Sequence, residues 1–309
     1  MCLPKTKPMC LPIGFLNINK PYGITSHDVV AKLRKILGIK KIGHSGTLDP
    51  AATGILIIGI NGATRLFEYL PDDKEYIAEI AFGVRTNTDD ITGEIIEKSD
   101  YIPSVDEIKE NLKRFTGKIL QKPPIYSSVK INGRRAYSLA RKNQISQDDI
   151  KEKTVEIFSI PDVLFETDKN PYPLLRVKIH CSSGTYIRSL ARDLGIRLGS
   201  AATLYSLIRT RVGGSFKIED SIPLEKITPE SLSEVLISPG KVLSLNKVCV
   251  ADSQINDLML GKEISYPAIN KDNINKEVQI VDGNDKVIGI GLVSSNLFIK
   301  PKKILGTYE

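Results

Sequence analysis

The segment Gly43-His44-Ser45-Gly46-Thr47-Leu48-Asp49-Pro50-Ala51-Ala52-Thr53-Gly54 constrains this chain most, because there a turn-rich loop runs straight into the apolar stretch Ile55-Leu56-Ile57-Ile58-Gly59-Ile60. A short apolar run bounded by turn signals reads as a buried strand. Such a loop can hold a reactive group against a rigid sheet. Pro50 biases Asp49 toward an extended backbone, and the glycines let a ligand approach the main chain. Asp49 is therefore the candidate reactive carboxylate. The same residues admit two other roles. Gly43-His44-Ser45-Gly46-Thr47 misses a Gly-x-Ser-x-Gly nucleophile elbow by one residue, since Thr47 stands where the last glycine belongs. An elbow also opens a helix, whereas this loop enters a strand. The alternative without chemistry is a plain connection in which Asp49 and Ser45 bond their own backbone.

At 309 residues the chain has room for one large domain plus a small one. A formal charge of +7 favours a polyanionic partner and says nothing of fold. No apolar run reaches the roughly twenty residues that span a bilayer, and the N-terminus lacks the long apolar core of a secretory signal, so a cytoplasmic protein away from membranes is expected. Cys2, Cys10, Cys181 and Cys249 show no C-x-x-C spacing, and His27, His44 and His180 are the only histidines. Neither a disulfide scaffold nor a structural metal is expected. Met1-Cys2-Leu3-Pro4 recurs as Met9-Cys10-Leu11-Pro12, a basic lead offering two candidate starts.

Residues 15–20 alternate like a strand and end in the turn Pro21-Tyr22-Gly23. Ser26 is expected to cap a helix whose core face is Val29, Val30, Leu33, Ile36 and Leu37, stopped by Gly38. Residues 63–70 suit a short helix. Residues 76–82 alternate, which puts Tyr76, Ala78, Ile80 and Phe82 on one face, with Tyr76 either at the mouth of a cleft or at the core edge. Thr86-Asn87-Thr88-Asp89-Asp90 lacks the glycine and glutamate of an EF-hand loop and reads as a solvated turn. Ser104 and Glu107 have capping-box spacing and open a helix carrying Ile108, Leu112 and Phe115, stopped by Gly117.

Between Gln121 and Lys142, Pro123-Pro124 prevents regular pairing, and Lys130, Arg134, Arg135, Arg141 and Lys142 alternate with Tyr126 and Tyr137. Cations that neutralise phosphates beside aromatic faces that stack bases suit looped RNA, although a charged face can simply be solvated. Strands follow at 155–160 and 174–180, then a helix at 185–198 on which Arg188, Arg192 and Arg197 do not all share a face. Arg188 falls in its first turn, where a cation opposes the helix dipole, a mild penalty that suggests a buried carboxylate or phosphate as its purpose. Beyond Val248, short apolar runs separated by Asn and Gly turns include a hairpin across Asp282-Gly283-Asn284-Asp285 and read as a small β-rich domain. Gly289-Ile290-Gly291 has no third glycine and is no dinucleotide fingerprint.

Five blocks in fixed order carry a further signal. They are His44-Ser45-Gly46-Thr47-Leu48-Asp49-Pro50 with Ala52, Gly54 and Gly62-Ala63-Thr64; Lys74-Glu75-Tyr76; Pro123-Pro124-Ile125-Tyr126-Ser127-Ser128-Val129-Lys130; Cys181-Ser182-Ser183-Gly184-Thr185-Tyr186-Ile187-Arg188; and Leu207-Ile208-Arg209-Thr210-Arg211-Val212-Gly213. Together they resemble the TruB family of tRNA pseudouridine synthases. The resemblance implies an α+β pseudouridine synthase fold: a central mixed, mainly antiparallel sheet flanked by helices, plus a small β-rich PUA-like C-terminal domain. It implies an N-terminal extension over 1–12, a catalytic domain over 13–245 with an RNA-gripping insertion at 124–152, and an RNA-binding PUA-like domain over 246–309.

The implied reaction is isomerisation of uridine to pseudouridine at position 55 in the T-loop of tRNA, on a base flipped from its stack. Asp49 would attack the ribose C1′, or take a sugar proton in a glycal route. Burial favours a neutral carboxyl and a close cation favours the anion, so Asp49 needs a partner, and Arg188 matches the family arginine. Tyr76 would stack on the extruded base and could move a proton, Tyr186 and Leu207 would complete the pocket, and His44 would contact RNA near the vacated position. Lys20 matches a family lysine near the site, and Lys130, Arg134, Arg135 and Arg141 would grip the T-arm. No metal, organic cofactor, membrane or protein partner is implied, and a monomer is expected. Ile57, Arg65 and Ser128 depart from the family's proline, lysine and alanine without touching a proposed reactive group. A different class, an RNA-binding or tRNA-folding factor that keeps the pocket without catalysis, shares the basic and aromatic features.

Overall fold

The computed structural model describes residues 12–168 and 171–306. The Met-Cys-Leu-Pro repeat and the extension 1–12 lie outside the described residues, Pro12 excepted. The chain begins with β1 (Gly14–Lys20), α1 (Ser26–Leu37), β2 (Ile42–Ser45), β3 (Ala52–Ile60) and a 3-10 run at Asn61–Tyr69. Then come β4 (Lys74–Phe82), α2 (Val105–Lys113), β5 (Gly117–Gln121), β6 (Lys153–Ser159), β7 (Val163–Glu166), β8 (Leu174–Cys181), α3 (Ile187–Arg197) and β9 (Ala202–Val212). After β10 (Ile222–Pro223), the last part holds β11 (Lys247–Cys249), α4 (Asp252–Met259), β12 (Ile264–Ser265), β13 (Glu277–Val281), β14 (Val287–Val293) and β15 (Phe298–Ile304).

The chain divides into two compact units, one of Met1–Pro50, Ile55–Pro71 and Gly214–Glu309, the other of Ala51–Gly54 and Asp72–Gly213. In the first, β1 lies between β10 and β3, and β2 pairs antiparallel with β3. Helix α1 lays Val29, Val30 and Leu33 on Leu16, Ile18, Leu56 and Ile58. Each such side chain, once fully buried, contributes about 1.5–3 kcal/mol. The helix starts one residue earlier than Ser26 suggested. Thr25 is the cap, its Oγ1 accepting from Asp28 N at 3.0 Å while the Asp28 carboxylate accepts from Thr25 N at 2.9 Å. Only Thr25 has an acid three residues on, so only it completes a capping box. Gly38, at φ 66°, ends the helix as expected, and Ile36 sits at the rim of the apolar face with 38% exposure.

The C-terminal part of this unit is a five-stranded sheet in the order β11-β13-β14-β15-β12, packed around Val248, Leu258, Ile280, Ile288, Val293 and Ile299. The expected hairpin is β13 and β14. Its turn is closed by the Asp282 carboxylate, which accepts from Asn284 N and Lys286 N, both at 2.9 Å.

In the second unit the first residues of β3 pair parallel with β9, and antiparallel pairings continue through β4, β8, β6 and β5. Tyr76, Ala78, Ile80 and Phe82 are all buried, as their alternation required. Helix α3 buries Ile187, Leu190, Ala191 and Leu194 and packs on β9 and β4. The Ser104–Glu107 capping box opens α2, which ends at Lys113, short of Phe115 and Gly117. Gly117 opens β5 instead, at φ 93°. Among the described residues no helix is long and apolar enough to cross a membrane.

Candidate active site

Asp49 sits in a loop pinned on both sides. Before it, Leu48 is buried, and the Ser26 hydroxyl accepts from Leu48 N at 2.8 Å and donates to Leu48 O at 3.1 Å. After it, Pro50 O accepts from Gly23 N at 2.9 Å and from Lys20 Nζ at 3.3 Å. Lys20, fully buried, also donates to Pro21 O at 2.9 Å and Ile24 O at 2.7 Å. Of the expected site residues in this unit, Lys20 and the Asp49 loop are thus brought together. Asp49 itself is half-buried, and so is His44 in β2. Main-chain bonds at the flanking residues limit the loop's freedom.

In the other unit, Leu207 pairs with Ala78, and Arg209 with Tyr76. Paired residues share a face, so Tyr76 and Leu207 lie on one side of adjacent strands. Gly54, at φ 94°, faces Arg209 so closely that a Cβ would sit 2.3 Å from Arg209 O. Tyr186 is the half-buried residue before α3, with Lys153 Nζ 5.9 Å from its ring centre. Arg188, 5% exposed, donates to Thr88 O and Tyr126 O, both at 3.0 Å, and comes within 3.8 Å of the Asp90 carboxylate.

The segment 86–90 is not the solvated turn its composition suggested. Thr86 and Asp89 are buried, and Arg192 Nη1 donates to Asp89 Oδ2 at 2.8 Å. Arg188 and Arg192 are four apart on α3, project to one side, and cover this loop, while Arg197 points away to Asn111. Burial pushes the Asp89 carboxyl up, against the pull of Arg192. The partners lie about a hundred residues downstream, so no local signal marks the loop as buried.

Lys130, Arg134, Arg135 and Arg141 come together in the segment 130–141. Lys130–Ile131 and Arg134–Arg135 form a hairpin, followed by a helix at Ala136–Ala140. All four cations are exposed, and Arg141 lies 5.7 Å from the Tyr137 ring centre. The turn is Asn132-Gly133, both at positive φ, the strongest two-residue hairpin signature and the signal that marks this element in sequence.

Other ionisable groups serve the framework. Burial would raise the Asp73 carboxyl, but hydrogen bonds from His180 and Arg211, each at 2.9 Å, hold it below its usual range. Burial, and then the Arg209 charge, push the Lys74 ammonium down. Burial pushes the Cys181 thiol up to about 11, too high for a reactive thiolate. A groove of about 530 Å³ lined by Thr64, Arg65, Phe67, Glu68, Lys302 and Lys303 lies in the first unit. Its cations are engaged by the Ile304 carbonyl, Glu277 and Glu68 respectively, so it reads as a structural seam.

The family model described as TruB family pseudouridylate synthase (N terminal domain) matches residues 34–187. A tRNA pseudouridine synthase B of Microcystis aeruginosa is 41% identical over 297 residues, covering 94% of this chain and 99% of that protein. The protein of that name from Trichormus variabilis is 51% identical over 212 residues, covering 68% of this chain and 71% of its own length. Among solved structures, one chain of a Cbf5-Nop10-Gar1 complex superposes with a TM-score of 0.68 at 26% identity, covering 95% of this chain and 85% of that one. The mixed sheet with its flanking helices, joined to a β-rich C-terminal sheet, is the pseudouridine synthase fold, and with relatives this similar along nearly its whole length the chain belongs to the TruB family of pseudouridine synthases.

Proposed function

We propose that the chain isomerises uridine to pseudouridine in tRNA, at position 55 of the T-loop, acting as a cytoplasmic monomer without protein partner, metal or organic cofactor. The observation that carries this reading is the Asp49 loop, an acid held in place through its neighbours' backbones. The C1′ to N1 bond breaks, the uracil turns, C5 joins C1′, and the C5 proton leaves as N1 gains one. Atoms and electrons balance without an oxidant or reductant. Asp49 is the proposed nucleophile toward C1′. Arg188, buried in the first turn of α3, is its proposed charge partner.

Extruding the base costs a few kcal/mol, which pocket contacts offset. Tyr76, Tyr186 and Leu207 are proposed as those contacts, with His44 on the RNA backbone and Lys20 as support for the Asp49 loop. Lys130, Arg134, Arg135 and Arg141, exposed on the insertion 124–152, are proposed to hold the T-arm through its phosphates. In this reading 13–245 is the catalytic domain and 246–309 a PUA-like RNA-binding appendage. Release of tritium from 5-³H-uridine in a T-arm RNA tests the function. The expected result is release by the native chain and none by Asp49→Asn, with RNA binding retained. Binding without release by the native chain would leave only an RNA-binding factor.

A further inference from the structure

Tyr186 precedes α3 and offers the helix no side-chain cap. A helix start leaves its first N–H groups without intrahelical partners, so its position depends on what bonds it from outside. Here that partner is Gln121, the last residue of β5, with its side chain buried. Its Oε1 accepts from Tyr186 N at 2.8 Å, and its Nε2 donates to Tyr186 O at 3.0 Å. The amide thus imitates a paired backbone and grips both polar groups of one residue. Among side chains of this length only Gln both donates and accepts through a single planar group.

The next residue extends the grip. Lys122 O accepts from Ser189 Oγ and from Arg192 Nη2, each at 2.8 Å. Tyr126 O accepts from Arg188 Nη2 at 3.0 Å. The segment 121–126 is therefore bonded to residues 186, 188, 189 and 192, the part of α3 that bears the proposed pocket wall and the proposed partner of Asp49. All of these bonds except Gln121's use main-chain carbonyls, which substitution does not remove. Gln121 is the one place where a side chain of the segment sets the geometry.

We propose that Gln121 is a positioning residue for the isomerisation. It fixes Tyr186, and with it the first turn of α3, so that the flipped base meets a preformed wall. This rests on the function proposed above. Displacement of a positioned group by about 1 Å can cost on the order of a hundredfold in rate. Affinity for tRNA comes largely from phosphate contacts and should barely change.

Gln121→Glu keeps the acceptor, loses the donor and sets a carboxylate against the Tyr186 carbonyl; Gln121→Asn keeps the amide on a shorter arm. The chain contains no tryptophan, so Tyr186→Trp places a single indole at the position being held. The experiment measures single-turnover tritium release and tRNA affinity for both Gln121 variants, and indole anisotropy for each in the Tyr186→Trp background. The expected result is a rate lower by ~10- to ~100-fold, affinity within about twofold, and a more mobile indole. An unchanged rate, a rate loss matched by lost affinity, or a slow enzyme with an equally rigid indole would each overturn the proposal. Asp49→Asn run alongside separates the two readings. If it still turns over, the proposed chemistry fails; if it is inert while both Gln121 variants run at the native rate, only the role of Gln121 fails.

Discussion

Two aspartate-bearing loops, one in each unit, are fastened by different sets of bonds. Beside Asp49, bonds to the main chain of its neighbours run from Ser26 to Leu48 and from Gly23 and Lys20 to Pro50. In the loop after Thr86 the carboxylates are fasteners too, beside main-chain bonds such as Leu204 N to Asp89 O at 3.1 Å and Arg188 to Thr88 O at 3.0 Å. Asp89 is bonded to Arg192, and Asp90 Oδ1 accepts from Thr92 N at 3.0 Å and from Thr88 Oγ1 at 2.9 Å. Both loops are polar and rich in hydroxyls, so composition does not separate them. The loop at Asp49 is clamped at Leu48 and Pro50 on its two sides, whereas the Asp89 carboxylate is itself a clamp of its loop.

The sharpest way to break this contrast is to remove each carboxylate in turn. Asp49→Asn should reduce tritium release by about a thousandfold or more, with thermal stability intact. A large fall in the unfolding midpoint would make Asp49 a fastener like Asp89. Asp89→Ala should do the reverse and destabilise by roughly 3 kcal/mol in denaturant unfolding, because the buried Arg192 loses the more deeply buried of its two carboxylate partners, Asp89 and Asp193. A loss within about 0.5 kcal/mol, the range of ordinary surface changes, would place Asp89 with the solvated turns.

A smaller effect is expected at the Asp49 clamp. Ser26→Ala leaves the buried Leu48 N–H unbonded, for about 1–2 kcal/mol. Turnover should fall along with it, since the loop loses its anchor; native turnover in a destabilised protein would show that the clamp serves only the fold. Smallest of all is a contrast in titration. Asp73, hydrogen-bonded to His180 and Arg211, should titrate below the ordinary 3.8, giving stability present above that pH and lost as pH falls through the lowered value. Asp89 should titrate above 3.8, its contribution present below that pH and lost as pH rises through the raised value. Carboxyl carbon-13 NMR would read both midpoints, and the opposite order would remove the distinction between the sites.

Much of this architecture was legible in local pattern. The alternation from Tyr76 to Phe82, the Ser104–Glu107 capping box, the stop at Gly38 and the hairpin of β13 and β14 each depend on residues a few positions apart. Ser26 was misread because two hydroxyl residues stand side by side and the deciding acid, Asp28, suits only Thr25. Strand β9 was hidden by its polar positions, with Arg209 buried in a run that reads as basic. The burial of Asp89 and the grip of Gln121 on Tyr186 were out of reach, because their partners lie about 100 and 65 residues away along the chain. In the candidate site the residues proposed to react could be named from the sequence; the bonds around them could not.

The buried ammonium of Lys20, spread over three carbonyls beneath the Asp49 loop, carries one more consequence. Dissolved ions screen charges that face water and scarcely reach one sealed inside protein. Potassium chloride should therefore loosen capture of the nucleic acid by the exposed arginines of the insertion while leaving the speed of already captured molecules nearly constant. Ionic strength would then act on recruitment alone.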